Sequence, residues 1–150
     1  MKLILDQNPE YNEPEIRLCY NVMDERLVAL VRQIQLYLFS ITVTRDRKQY
    51  SIPLESVYYF ESVDDKTFVY CKNEVYECSL RLYELEQQME GSSCVRISKA
   101  CILNTLHVES VRPLFGAKLE ALLENREKVI INRHYVPTLK AKLGIGEGSK

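Results

Sequence analysis

Few side chains in this chain are of a kind, or at a spacing, that could do covalent or metal chemistry. There are two histidines, His107 and His134, and neither belongs to the H-E-x-x-H pattern that places two imidazoles and a carboxylate on one helix face. No G-x-S-x-G elbow, P-loop or dinucleotide fingerprint occurs. Asp64 and Asp65 are adjacent carboxylates in a turn, so their side chains diverge and serve poorly as paired acid and base. His107, between Leu106 and Val108, reads as an ordinary strand residue. The five cysteines are an odd set without a C-x-x-C pair, which points to reduced, packed thiols, with Cys71 and Cys78 expected to face each other across a hairpin. The glycines of Gly144-Ile-Gly-Glu-Gly-Ser-Lys follow a predicted helix instead of preceding one, so they read as a fraying tail and not a phosphate loop. The expectation is therefore a protein without enzymatic activity, cofactor, metal or small-molecule substrate.

The cations are more informative. Net charge is only −1, but residues 1–93 hold ten Lys or Arg against sixteen Asp or Glu, and residues 94–150 hold ten against five. A chain acidic in front and basic behind suggests one face built for a polyanion. With 150 residues, 46% hydrophobic and 27% charged, a single globular core is expected, and disordered and collagenous classes are excluded. The most apolar stretch, Leu27 to Val43, is broken by Arg32, Gln33, Gln35 and Ser40, so it cannot cross a membrane. Nor does Met1 to Asn8 make a signal peptide, and cytoplasm is the expected location.

The elements that must hold those cations follow from periodicity. Leu3–Leu5 and Ile16–Tyr20 read as short strands. Met23, Leu27, Leu30, Val31, Ile34 and Leu38 recur at three and four, predicting a helix capped by Asn21 that covers the core or pairs two copies. From Phe39 the period becomes two. Phe39, Ile41 and Val43 alternate with polar residues, the turn Arg45–Lys48 leads to Tyr50 and Ile52, and strands follow at 57–62, 67–72 and 75–78. Ser79 is expected to cap a second helix bearing Leu82, Leu85 and Met89, stopped at Gly91. A strand at 95–97 comes next, while Ser98–Leu103 suits either a helical turn or a buried strand. Strands at 106–115, 119–123 and 128–132 and a helix at 137–143 complete the chain. The class is mostly β, α+β overall.

Four stretches within Tyr50–Leu143 resemble the LytTR family of bacterial DNA-binding domains. They are Ile52-Pro-Leu-Glu-Ser-Val-Tyr-Tyr-Phe-Glu-Ser, Cys78-Ser-Leu-Arg-Leu-Tyr-Glu-Leu-Glu, Val95-Arg-Ile-Ser-Lys-Ala-Cys-Ile-Leu-Asn and Ile131-Asn-Arg-His-Tyr-Val. The third looks like the family signature F-x-R-I-H-R-S-x-L-V-N, with Ser98 for its His and Lys99 for its Arg. The fourth is similar to V-S-R-R-Y. The resemblance implies an elongated arrangement of small antiparallel sheets with short helices, binding the major groove through loops and a short helical turn. Carried onto this chain, the DNA-contacting residues are Lys66, Ser98, Lys99, Arg133 and His134, while Asn104 is implied to be structural. It divides the chain into an N-terminal β-β-α extension (1–46), a DNA-binding domain (47–144) and a disordered tail (145–150). The front segment does not look like a receiver domain, so the resemblance is to stand-alone members.

Double-stranded DNA is the partner so implied, bound by a homodimer on adjacent sites, and a small membrane regulatory protein comes with the stand-alone type. On chemistry alone, Arg133 suits a base-edge contact through its planar fork and Lys66 a phosphate contact. Two other readings use the same elements. One is a protein-interaction or signalling module that pairs strands with a partner. The other is a single-stranded nucleic-acid binder that stacks bases on Tyr58, Tyr59, Tyr70 and Tyr76.

Overall fold

The computed structural model describes residues 1–145; residues 146–150, most of the expected tail, lie outside the described residues. Two-residue turns set the hairpins. Asp46 and Arg47 join β1 (Ser40–Arg45) to β2 (Lys48–Pro53), and Asp64 and Asp65 join β3 (Val57–Val63) to β4 (Lys66–Cys71). All four turn residues have positive φ, between 50° and 65°, the mirror-image turn whose twist matches that of paired strands. After β5 (Val75–Cys78) come helix α2 (Leu82–Gln88), β6 (Cys94–Ser98) and β7 (Cys101–Asn104). These strands form a seven-stranded antiparallel sheet in the order β2-β1-β5-β4-β3-β7-β6. A second sheet, β10-β9-β8, comprises β8 (Val108–Leu114), β9 (Lys118–Leu123) and β10 (Lys128–Ile131), and helix α3 (Val136–Leu143) follows.

The layers follow from strand alternation. One face of the large sheet, through Ile41, Val43, Phe60, Val69 and Ile102, packs on Leu82, Leu85 and Met89 of α2. The other face, through Val95, Ile97, Cys101 and Leu103, packs on Leu119, Ala121, Leu123 and Ile131 of the small sheet and Leu139 of α3. Strand β7 is covered on both sides, and all four of its residues are buried. Ser98–Leu103 therefore resolves as a turn and a strand, with no helical turn.

Several expectations need correction. Leu3–Leu5 and Ile16–Tyr20 form no strand: Leu3, Ile4 and Leu5 are exposed, and a strand without a partner ladder is not stable in water. The N-terminal piece is thus not β-β-α. Its helix α1 (Glu25–Tyr37) is capped by Asp24, whose carboxylate accepts from the Leu27 N–H at 2.8 Å, and not by Asn21. The N-cap of α2 is Arg81, not Ser79, and its backbone N–H donates to Glu84 at 3.1 Å. Cys78 lies opposite Thr67, and Cys71 opposite Val57, so those two cysteines do not face each other. His107 belongs to a 3-10 turn (Thr105–His107) and not to a strand; its ring stacks on Tyr58 at 4.0 Å and its Nδ1 lies 2.8 Å from Glu124.

Helix α1 leans on the loop after α2. Arg32 donates to the Glu90 carbonyl and Gln33 to the Gly91 carbonyl, each at 3.4 Å, while Leu36 lies against Gly91. Strand β1, which follows α1 directly, pairs along its whole length with β2 and so is part of the large sheet.

Candidate nucleic-acid interface

Register places the expected contact residues at one end of the molecule. Lys66 opens β4 opposite Val63, directly after the Asp64-Asp65 turn. At the same end of β3, the Ser62 N–H donates to the Ala100 carbonyl at 2.8 Å, which sets the β6–β7 turn (Lys99-Ala100) beside the β3–β4 turn. Next along the row, the Asn132 N–H donates to the Ile97 carbonyl at 3.0 Å, bringing the end of β10 to the base of the β6–β7 turn. Strand β6 is the edge of the large sheet, so its outer carbonyls are open to such partners, and it also carries a bulge. The register passes from Arg96↔Ile102 to Ser98↔Cys101, leaving Ile97 unpaired with β7. Arg133 and His134 follow in a 3-10 turn (Arg133–Tyr135), so Arg133 sits on a helical turn and not on the strand itself. Lys66, Lys99 and Arg133 therefore stand on neighbouring tips.

Lys66, Lys99, Arg133 and His134 are exposed, and Ser98 is half-buried. The side chains of Lys66, Lys99 and Arg133 make no ion pair with the described residues, in contrast to Arg96 with Glu86 and Arg112 with Glu120. Such cations are free to meet an external anion. The Ser98 hydroxyl is occupied in part, accepting from the Ala100 N–H at 3.2 Å to shape the turn. The ring of His134 packs edge-on against Tyr135 at 5.2 Å. Asp65, next to Lys66, lies 3.6 Å from Arg81, so the acidic turn carries its own counter-charge. From Lys128 to Ile145 there are four Lys or Arg and no Asp or Glu.

The scaffold behind the tips is tied by Asn104. It is fully buried; its Nδ2 donates to the Leu54 and Val57 carbonyls at 3.1 and 2.8 Å, and its Oδ1 accepts from Ser93 and the Leu106 N–H. This is the structural role implied for it, with a longer reach than a local turn.

Sequence reading missed Arg81, Arg96 and the β8–β9 hairpin tip. The tip extends past the Leu119↔Ile131 pair on the Asn132 side and carries the fully exposed Phe115. Arg81 and the hairpin tip lie far in sequence from the tips they adjoin, and Arg96, three residues from Lys99, shows its role only through the bond it donates to the Lys99 carbonyl. The tyrosines offered for base stacking are used internally. Tyr58 stacks on His107, Tyr59 on Tyr70 at 4.3 Å, and Tyr76 lies 5.6 Å from Tyr50. The Tyr59 hydroxyl donates to Glu127 at 2.8 Å, and burial with that carboxylate holds its pKa well above the ordinary phenol value. Among the described residues no cluster of three or more His, Cys, Asp or Glu is placed to hold a metal, and no helix is long and apolar enough to cross a membrane.

Comparison with known proteins gives the same outline. The chain is 24% identical over 106 residues to the sensory transduction protein LytT of Enterococcus faecalis, covering 71% of this chain and 44% of that protein. It is 28% identical over 94 residues to LytT of Bacillus anthracis, covering 63% of this chain and 38% of that one. To the transcriptional regulatory protein LytR of Staphylococcus aureus it is 24% identical over 106 residues, covering 71% and 43%. The chain thus spans less than half the length of these curated relatives. Among solved structures it is similar in fold to a LytTr DNA-binding domain of a Bacillus cereus methyl-accepting/DNA response regulator, with a TM-score of 0.66 and 23% identity, covering 70% of this chain and 96% of that one. Residues 47–144 match the LytTr DNA-binding domain, and with that stretch spanning the three cationic tips and every strand of both sheets except β1, the chain belongs to the LytTr DNA-binding domain family.

Proposed function

We propose that this chain is a transcriptional regulator that binds double-stranded DNA in a sequence-specific way, entering the major groove with its turn tips. The observation that carries the reading is the gathering of Lys66, Lys99 and Arg133 on neighbouring tips, none of them ion-paired with the described residues. In this reading Arg133 reads a base edge, because a guanidinium can bond guanine O6 and N7 together. Lys99 and Lys66 contact phosphates or flanking bases, and Ser98 and His134 add hydrogen bonds at the margin. Two copies on adjacent sites extend the contact. Phosphate neutralisation supplies much of the affinity and makes it fall steeply with salt.

A gel shift with a duplex selected from a random pool tests this. Arg133→Ala is expected to cost about 1–3 kcal/mol on the selected site and to relax the base preference at one position. Lys99→Ala is expected to weaken selected and scrambled duplexes alike and to lower the salt slope by about one. Equal binding of single-stranded and duplex DNA by the intact chain, unaffected by either substitution, would contradict the proposal.

A further inference from the structure

Among the described residues, Arg96 is the one arginine whose guanidinium bridges a helix and the backbone of a candidate recognition turn. Its Nη1 donates to the Lys99 carbonyl at 2.7 Å, and its Nη2 donates to Glu86 Oε1 of α2 at 3.2 Å. The side chain is 17% exposed, that of Glu86 49%. The same turn is tied at two further points: the Ser98 hydroxyl accepts from the Ala100 N–H, and the Ala100 carbonyl accepts from the Ser62 N–H. One residue from Arg96, the bulged Ile97 gives its carbonyl to Asn132, the anchor of the Arg133 turn. Arg96 thus sits where the backbones presenting two of the cations meet. A planar fork with two fixed donors suits such a bridge better than an ammonium on a flexible stem.

We propose that Arg96 is a positioning residue for DNA recognition: braced by Glu86, it fixes the Lys99 carbonyl and with it the orientation of the turn that presents Lys99. The inference rests on the DNA-binding reading above. Its rival is that Arg96 is simply another phosphate contact, and the two differ in sign. Glu86→Gln removes a negative charge and releases the guanidinium, so a phosphate-contact role predicts tighter binding. A brace predicts weaker specific binding, because the anchor of the turn is lost. Glu86 is half-exposed, so its ion pair contributes little to stability and the variant is expected to fold.

The experiment uses the full chain, a pool-selected duplex and its scrambled counterpart, with circular dichroism to verify folding and ¹⁵N relaxation of Ser98–Cys101 in the free protein. Glu86→Gln is expected to lower affinity for the selected duplex about threefold to tenfold and to weaken the scrambled duplex as well, because the turn carries Lys99. Arg96→Ala is expected to lose more, and Arg96→Lys to recover part of that loss, with the salt slope unchanged in Glu86→Gln. In the free protein both Glu86→Gln and Arg96→Ala are expected to loosen the turn amides. Turn amides as rigid as in the wild type, or selected-site binding by Glu86→Gln as tight as wild type or tighter, would overturn the brace. Loosened amides in a chain that prefers no duplex would leave the brace standing and remove the DNA-binding reading instead.

Discussion

At the scale of single residues, the structure separates cations offered outward from polar groups consumed inward. Asn104 is the clearest of the latter, satisfying two carbonyls, a backbone N–H and a hydroxyl in a site with no exposure. Asn104→Ala is expected to cost about 2–4 kcal/mol in urea unfolding, because it strands the Leu54 and Val57 carbonyls away from water. Asn104→Asp is expected to be no better, since it sets a carboxylate against the same two oxygens. The buried thiols behave differently. Burial pushes Cys94 and Cys101 up to about 12 and Cys71 up to about 11. An unfolded chain releases such protons near pH 8.5, whereas the folded chain keeps them. Their contribution to stability is therefore complete below that pH and is lost as pH rises toward 12. Urea midpoints at pH 7 and pH 10 should fall less between the two for Cys94→Ala and Cys101→Ala than for wild type. At pH 8 iodoacetamide is expected to label the exposed Cys19 well before these thiols.

At the scale of elements, local turn chemistry fixes most of the strand pairing, and Arg47, Ala117 and Arg126 each hold a positive φ that their side chains tolerate poorly. Gly116 and Ala117 close the β8–β9 hairpin with φ of 83° and 61°, and only the glycine is at ease there. Ala117→Gly is expected to raise stability by about 0.5–1 kcal/mol, read as a higher thermal midpoint with Phe115 still exposed. Such turns are also why much of the fold was legible. Alternating apolar residues bounded by Asp46-Arg47, Asp64-Asp65 and Gly116 mark β1 to β4, β8 and β9 without any tertiary knowledge. Where a segment is buried on both faces the alternation vanishes, so Cys101–Asn104 could not be told from a helical turn. Where no partner exists the opposite error occurs: Leu3–Leu5 and Ile16–Tyr20 have strand composition but no neighbouring edge to pair with. Cap positions shifted by two or three residues, from Asn21 to Asp24 and from Ser79 to Arg81, because several residues near each helix start can cap it and packing selects one.

At the scale of the whole molecule, both ends carry cations and ion pairs, and what sets one end apart is that Lys66, Lys99 and Arg133 stand there on neighbouring turns. The end bearing the β1–β2, β4–β5 and β9–β10 turns holds Arg45 against Glu74 and Arg126 against Glu109. The opposite end bears Lys66, Lys99 and Arg133 without such partners among the described residues. The LytTR-like motifs include Ser98, Lys99, Arg133 and His134 of the proposed site, while Lys66 lies outside them. The assembly of these residues was not legible in the sequence, because it depends on bonds between segments as distant as Ile97 and Asn132. The most direct measurement of the central claim is a chemical-shift map of the ¹⁵N-labelled full chain titrated with its pool-selected duplex. The account predicts that Lys66, Ser98, Lys99, Arg133 and His134 shift most while Arg45–Lys48, Lys72 and Arg126 stay in place. Shifts concentrated at that second group, with the first unmoved, would contradict it.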